Sequence, residues 1–283
     1  MADGGDLYYL SGIDQNSFFD KIGYEIRYLD DEGCMWRVMT WVEGTNISEA
    51  ESPTLCYEAG KLVALFHLAV KDFKYEFRNH RGGVHDTPQH ILKLRHSLDS
   101  HDYHKLHSEV SELAKETIGR LEGLPSLHKL PFRIVHGDLK LNNILFDSEG
   151  AGLCLIDLDT MAHGSIPVEL GDAFRSWCNP TGEAQKESNF SLPHFEAGLS
   201  GYVAGGGSFL THAEVQAIPA AIETIALELA TRFLTDALAE SYFGWDKASF
   251  PSAGHHNLFR AKSQLSLANS FAAQRAKAVE IIK

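Results

Sequence analysis

Residues 132–159 read FRIVHGDLKLNNILFDSEGAGLCLIDLD, and no other stretch restricts the fold of this chain as tightly. Two apolar runs, 132–135 and 152–156, flank a turn at 147–150 and are expected as the strands of a small hairpin. Such a hairpin would return the polar segment beginning at His136, and the acidic Asp157, to one edge.

Along that edge the polar residues fall in the order His136, Asp138, Asn143 and Asp157, an H-x-D-x-x-x-x-N pattern with a further Asp after an apolar strand. Taken singly, an Asp before a turn is a cap and an Asn closes an Asx-turn. Taken together they supply what phosphoryl transfer to a hydroxyl requires: a carboxylate for the hydroxyl proton and two oxygen ligands for the metal on the nucleotide phosphates. Asp138 is therefore expected as the base, Asn143 and Asp157 as ligands of Mg2+, and ATP as the donor. Lys140 would offset charge on the transferring phosphoryl group, its plainer role being that of a solvated loop lysine.

The string HGDLKLNNILFD followed by LIDLD resembles the aminoglycoside phosphotransferase and choline kinase family of small-molecule kinases, which share the protein-kinase fold. Shorter strings resemble the N-acetylhexosamine 1-kinases within it: KLNNIL at 140–145, IDLDT at 156–160, GD-x-x-R at 171–175, HDTP at 85–88, RFL at 232–234 and HNL-x-R at 256–260. The resemblance implies an α+β, protein-kinase-like phosphotransferase whose mainly helical C-terminal lobe carries a catalytic β-hairpin. It also implies phosphorylation of the anomeric hydroxyl of an N-acetylhexosamine, with choline, homoserine and aminoglycosides as alternative acceptors in the same reaction class. Arg175, Trp177, Arg232 and Tyr242 would bind the acceptor, because sugars are held by aromatic faces and by charged groups that bond adjacent hydroxyls. Arg232 and Asp236 can instead bridge as an i,i+4 pair on a helix surface. Asp172 matches a family Asp that ties the loop to the following helix, and the HDTP string falls near the sugar cleft, where its local reading is a turn.

Ahead of the loop, the apolar-aromatic runs 24–29 and 36–42 are joined by Asp-Asp-Glu-Gly and are expected as a hairpin. The resemblance puts the hinge between lobes at 41–44, where the backbone of Trp41, Val42 and Glu43 would meet the adenine edge. Helical spacing of apolar residues predicts helices over 55–73, 108–124, 220–238 and 261–282. The forty-odd residues before Gly44 contain neither G-x-G-x-x-G nor a V-A-I-K-like strand. The expected division is thus a remnant N-terminal lobe at 1–43 and a helical C-terminal lobe at 44–283, with an inactive kinase-like binding module as the alternative to a working enzyme.

Composition narrows the remaining classes. A net charge of -13 without a basic stripe argues against a nucleic-acid partner. The longest apolar stretch, 218–229, is interrupted by Glu223 and Glu228 and is too short to span a bilayer. Cys34, Cys56, Cys154 and Cys178 show no C-x-x-C spacing, and residues 1–6 lack the features of a signal peptide, so a reduced, cytoplasmic protein is expected. His101, His104 and His107 recur every third residue, but no carboxylate or Cys completes a zinc set, and a solvated face is the expectation.

Overall fold

The computed structural model describes residues 11–13, 27–37, 41–77, 85–182 and 185–283, the first three strands through their backbone alone. Those strands, β1 (Ser11–Ile13), β2 (Arg27–Leu29) and β3 (Met35–Arg37), form an antiparallel sheet in the order β1-β3-β2. β2 and β3 are the hairpin expected around the acidic turn, where the Asp30 carboxylate accepts the amides of Glu32 and Cys34. The outer parts of that expectation, 24–26 and 38–40, lie outside the described residues.

Seven helices follow among the described residues: α1 (Pro53–Val70), α2 (Thr87–Ser100), α3 (His107–Gly123), α4 (Ile166–Trp177), α5 (Leu192–Ala204), α6 (His212–Ala239) and α7 (Ala253–Ile281). Four of them, α1, α2, α4 and α5, carry Pro in the first turn, where its missing N–H has no intrahelical partner to lose. α6 begins eight residues earlier than its apolar spacing predicts. Thr211 and Glu214 close a reciprocal capping box there, and Pro219 is carried inside the helix. None of these helices is long and apolar enough to cross a membrane.

The strands around the polar loop pair differently from the expectation. β4 (Arg133–Val135) does not meet the 152–156 run; it pairs antiparallel with β7 (Ala162–Gly164). The hairpin at the 147–150 turn is made by β5 (Ile144–Phe146) and β6 (Gly152–Leu155). The Asp147 side chain closes it by accepting the amides of Glu149 and Ala151. The polar loop therefore connects two small sheets instead of capping one, and residues from both converge on it.

Beneath the loop, the largest core cluster joins α1, α4 and α5 through Val63, Leu139, Ile144, Phe174, Phe195 and Tyr202. α1 and α5 approach until backbone meets backbone: a Cβ on Gly60 would run into Gly198 O, and one on Gly201 into Tyr57 O. A second cluster packs α2 and α3 on α6 through Leu94, Val110, Ile118 and Leu234. No expectation covered α2, α4 or α5. The HDTP string read as a turn is the start of α2, with Asp86 as its cap accepting the Gln89 amide.

Candidate active site

β4 ends at Val135 and delivers the polar loop to the floor of a cleft of about 2140 Å³, more than one small ligand needs. His136, fully buried, donates from Nε2 to Ile156 O at 2.9 Å, which leaves Nδ1 to accept the Asp138 amide at 3.4 Å. The Asn143 Nδ2 donates to Asp138 O at 2.8 Å, and the Ile156 amide donates to Asn143 O. Thr160 Oγ1 bridges His136 O at 2.7 Å and Asp157 O at 3.1 Å. These bonds bring three of the expected residues, Asp138, Asn143 and Asp157, into one network although they are spread over twenty positions. Asp157 is exposed and holds left-handed backbone dihedrals, φ 63° and ψ 46°, which turn the chain sharply at the end of β6.

Asp138 and Lys140 both line the cleft. Lys140 Nζ lies 2.8 Å from Asp138 Oδ2, with the two side chains 47% and 28% exposed, so the pair is open to a ligand. Asn143 is buried and keeps its Oδ1 free of any bond among the described residues.

A second layer, which the sequence reading missed, sits under the loop. Glu169 on α4 is 4% exposed; its Oε1 accepts the Gly137 amide at 2.6 Å and its Oε2 meets His67 Nε2 at 2.5 Å. His67 on α1 is completed by the Tyr202 hydroxyl of α5, 2.9 Å from Nδ1. Gly137 itself has φ 89°, and a Cβ there would run into Thr160 O, so only glycine fits. The available signal was a His and a Glu inside apolar helical runs, where a buried polar group must find a partner.

The expected acceptor residues divide. Trp177 is fully buried and does not face the cleft; its indole N–H donates to Leu139 O at 2.7 Å, so it braces the loop from below. Arg175 and Arg232 line the cleft, as does Tyr242, which is 73% exposed. Arg175 Nε donates to Asp172 Oδ1 at 3.0 Å. Burial alone would raise the Asp172 pKa, but Arg175, with His85 and Arg232 behind it, holds the carboxyl below its usual value. The expected Arg232–Asp236 bridge is not made. Asp236 accepts the amides of Ser241, Tyr242 and Phe243 and the side chain of Asn257. Arg232 lies instead over the Phe243 ring, 5.7 Å from its centroid.

From the HDTP string, His85 Nδ1 lies 3.0 Å from Glu228 Oε1 and Thr87 Oγ1 donates to Glu228 Oε2 at 2.5 Å, which anchors the start of α2 on α6. Of the residues expected at the hinge, Trp41 and Val42 are 59% and 41% exposed. Thr45 pairs with Phe146, which sets that stretch beside the β5–β6 hairpin. The three spaced histidines do not form the solvated face expected of them. His101 donates to Ser97 O, His104 accepts the Leu106 amide, and His107 meets Leu98 O, so they close the connection between α2 and α3.

The family model described as the phosphotransferase enzyme family, APH, matches residues 24–200. A homoserine kinase of Neisseria meningitidis serogroup B is 30% identical over 147 residues, which are 50% of this chain and 45% of that protein, so the match spans under half of the relative's length. Among solved structures, an aminoglycoside phosphotransferase from Alicyclobacillus acidocaldarius superposes with a TM-score of 0.59 at 15% identity, over 90% of this chain and 74% of that one. A choline/ethanolamine kinase family protein from Mesorhizobium loti gives 0.52 at 13% identity, over 90% and 78%. The two structures show a shared kinase-like phosphotransferase fold.

Proposed function

Because the chain belongs to the phosphotransferase enzyme family, we propose that it is an ATP-dependent small-molecule kinase with an alcohol-group acceptor. The observation that carries this reading is the hydrogen-bonded loop that holds Asp138 on the cleft floor while Asn143 and Asp157 are tied to the same network. The acceptor hydroxyl attacks the γ-phosphorus; its O–P bond forms as the bond to the β-phosphate oxygen breaks, ADP leaves, and the hydroxyl proton passes to Asp138. Lys140 would offset charge on the transferring group. Positioning and electrostatics then supply most of the rate.

Asn143 and Asp157 offer a carboxamide oxygen and a carboxylate, hard oxygen donors that fit Mg2+, which takes few protein ligands and fills its sphere with phosphate oxygens and water. Bound there, the ion would shield the phosphate charge. The adenine edge would meet the backbone of Trp41, Val42 and Glu43, next to Gly44, which packs against Leu145, Phe146 and Leu153 of the β5–β6 hairpin. On this reading residues 1–43 and 44–283 form the two parts of the kinase, and the four free thiols support a reduced, cytoplasmic setting.

For the acceptor, the shorter strings favour a sugar, an N-acetylhexosamine phosphorylated at its anomeric position, with Arg175, Arg232 and Tyr242 at the acceptor end of the cleft. Trp177 then acts through the loop and does not touch the sugar. The homoserine kinase relative supports a second reading, an amino-acid alcohol. A phosphate-acceptor screen with ATP and Mg2+ tests both. Asp138→Asn, which keeps the loop's shape, should lower turnover on the best acceptor by about 100- to 10,000-fold. Unchanged turnover would remove Asp138 from the role of base.

A further inference from the structure

One end of the cleft, between the start of α2, α4 and the middle of α6, is lined by five charged side chains: His85, Asp172, Arg175, Glu228 and Arg232. Four of them are engaged. Asp172 holds Arg175 at 3.0 Å, and Glu228, 1% exposed, takes His85 and Thr87 on its two oxygens. Arg232 has no hydrogen bond or ion pair among the described residues. The Phe243 ring under its guanidinium steadies the plane and supplies no negative charge, and the carboxylate one turn on, Asp236, is consumed by three amides and Asn257.

The local balance follows. Burial alone would discharge His85, but its bond to Glu228, reinforced by Asp172, favours the imidazolium. Arg175 and Arg232 share this end of the cleft with the carboxylates of Asp172, Glu228 and Asp236, and of these five only Arg232 is without a hydrogen bond or ion pair among the described residues. A partly buried guanidinium with its donor edge open is suited to a planar, two-oxygen anion. A neutral ligand would leave that donor edge without an anionic partner, and a cationic one would meet the guanidinium's own charge.

We propose that the acceptor is a sugar acid, whose carboxylate is held by Arg232 while one of its hydroxyls is presented to Asp138. The inference rests on the kinase reading above and replaces its neutral N-acetylhexosamine with a sugar that carries a carboxylate. The carboxylate comes from a ring, as in a hexuronate, or from an open chain, as in an aldonate; both present the same group to Arg232.

The test is calorimetry on the full chain without nucleotide, followed by turnover with ATP and Mg2+. The ligands are D-glucuronate, D-gluconate, D-glucuronamide, D-glucose, N-acetyl-D-glucosamine, D-glucosamine and D-glucose 1-phosphate. Glucuronate or gluconate should bind at least about tenfold tighter than glucose and glucuronamide, with glucosamine weakest, because a charge-assisted pair is lost in each comparison. The first two distinguish ring from chain. Arg232→Met should bring the acid-to-neutral ratio close to one, and Arg232→Lys should keep part of it. If Arg232→Met does not fold, the glucuronate-to-glucuronamide ratio on the unaltered chain decides the matter, since it removes the charge from the ligand instead. Equal affinity for acid and amide, preference for a neutral ring, or no binding of either acid overturns the proposal. So does tight binding of glucose 1-phosphate without an acid preference, which would assign Arg232 to the transferred phosphate. Phosphorylation of neutral sugars with no acid preference leaves the kinase reading standing and sinks this inference. Arg232-dependent acid binding without phosphoryl transfer to any ligand does the reverse.

Discussion

Replacing Trp177 by Phe keeps a ring in the core and deletes only the indole N–H that reaches Leu139 O. A buried carbonyl would be left unpaired, at a cost of about 1–3 kcal/mol, and the loop bearing Asp138 would loosen. Thermal melts should show the loss, and kcat should fall more than KM changes; an unaltered melt would mean the bond is not made in solution. At His85 the effect is tied to pH. Burial by itself would lower its pKa, but the hydrogen bond to Glu228, aided by Asp172 and opposed by Arg232, raises it above the ordinary 6.5. A raised folded-state value means the folded protein holds the proton more tightly. The stabilisation is therefore complete below the ordinary value and fades as pH rises through the folded one. The melting-temperature gap between the unaltered protein and His85→Gln should be widest near about pH 6 and narrow toward about pH 9. A gap that stays constant across that range would show that the pair carries no proton-linked stability. Neither role was readable from residue type. Trp177 was expected among sugar contacts because aromatic rings suit sugars, yet it continues the apolar stripe of Ile166, Leu170, Ala173 and Phe174 on the inner face of α4, which helical spacing does show.

At the scale of elements, the crossing of α1 and α5 predicts opposite outcomes for one chemical change at two glycines. Gly60→Ala forces a methyl into Gly198 O, a backbone atom that cannot turn aside, so it should destabilise by about 1–3 kcal/mol or more. Gly119→Ala, on the exposed face of α3 with nothing within 4 Å, should stabilise by about 0.5–1 kcal/mol because it removes only backbone freedom from the unfolded chain. Denaturant titrations of the two variants check both signs; a stabilised Gly60→Ala would mean the helices stand further apart. α1 and α3 were legible because their apolar residues recur on one side. α5 was not, since its glycines serve close approach and give no apolar stripe, and the start of α6 was hidden by Pro219. Strand partners were misassigned for a physical reason too. Runs of three or four residues carry a pleat but no record of their neighbour, and β4 finds β7 across the whole loop.

For the molecule as a whole, the long α7 is tied to α6 and α3 through one carboxylate. Glu223 on α6, 4% exposed, takes Arg120 of α3 at 3.0 Å and also pairs with Arg275 of α7. Removing it leaves two guanidinium groups facing each other, and because their side chains are 21% and 38% exposed, water can relieve part of the cost. Glu223→Ala should therefore cost about 2–3 kcal/mol, below the range for a wholly buried pair. A melt unchanged from the unaltered protein would show that this carboxylate does not hold α7 in place. The family could be read from the string at 136–157 because phosphoryl transfer fixes residue types at fixed spacing. The supports under that loop come from α1, α4 and α5, distant in the chain, and no local spacing records them.

The Gly137 amide has a further use that follows from where its hydrogen points. It donates to a carboxylate oxygen of Glu169, itself 4% exposed and pinned by His67. An N–H so enclosed can trade its hydrogen for deuterium only when the loop lifts from Glu169, so its exchange rate counts how often the strand-to-loop junction opens. That one proton is a clock for the polar loop, readable with no ligand present.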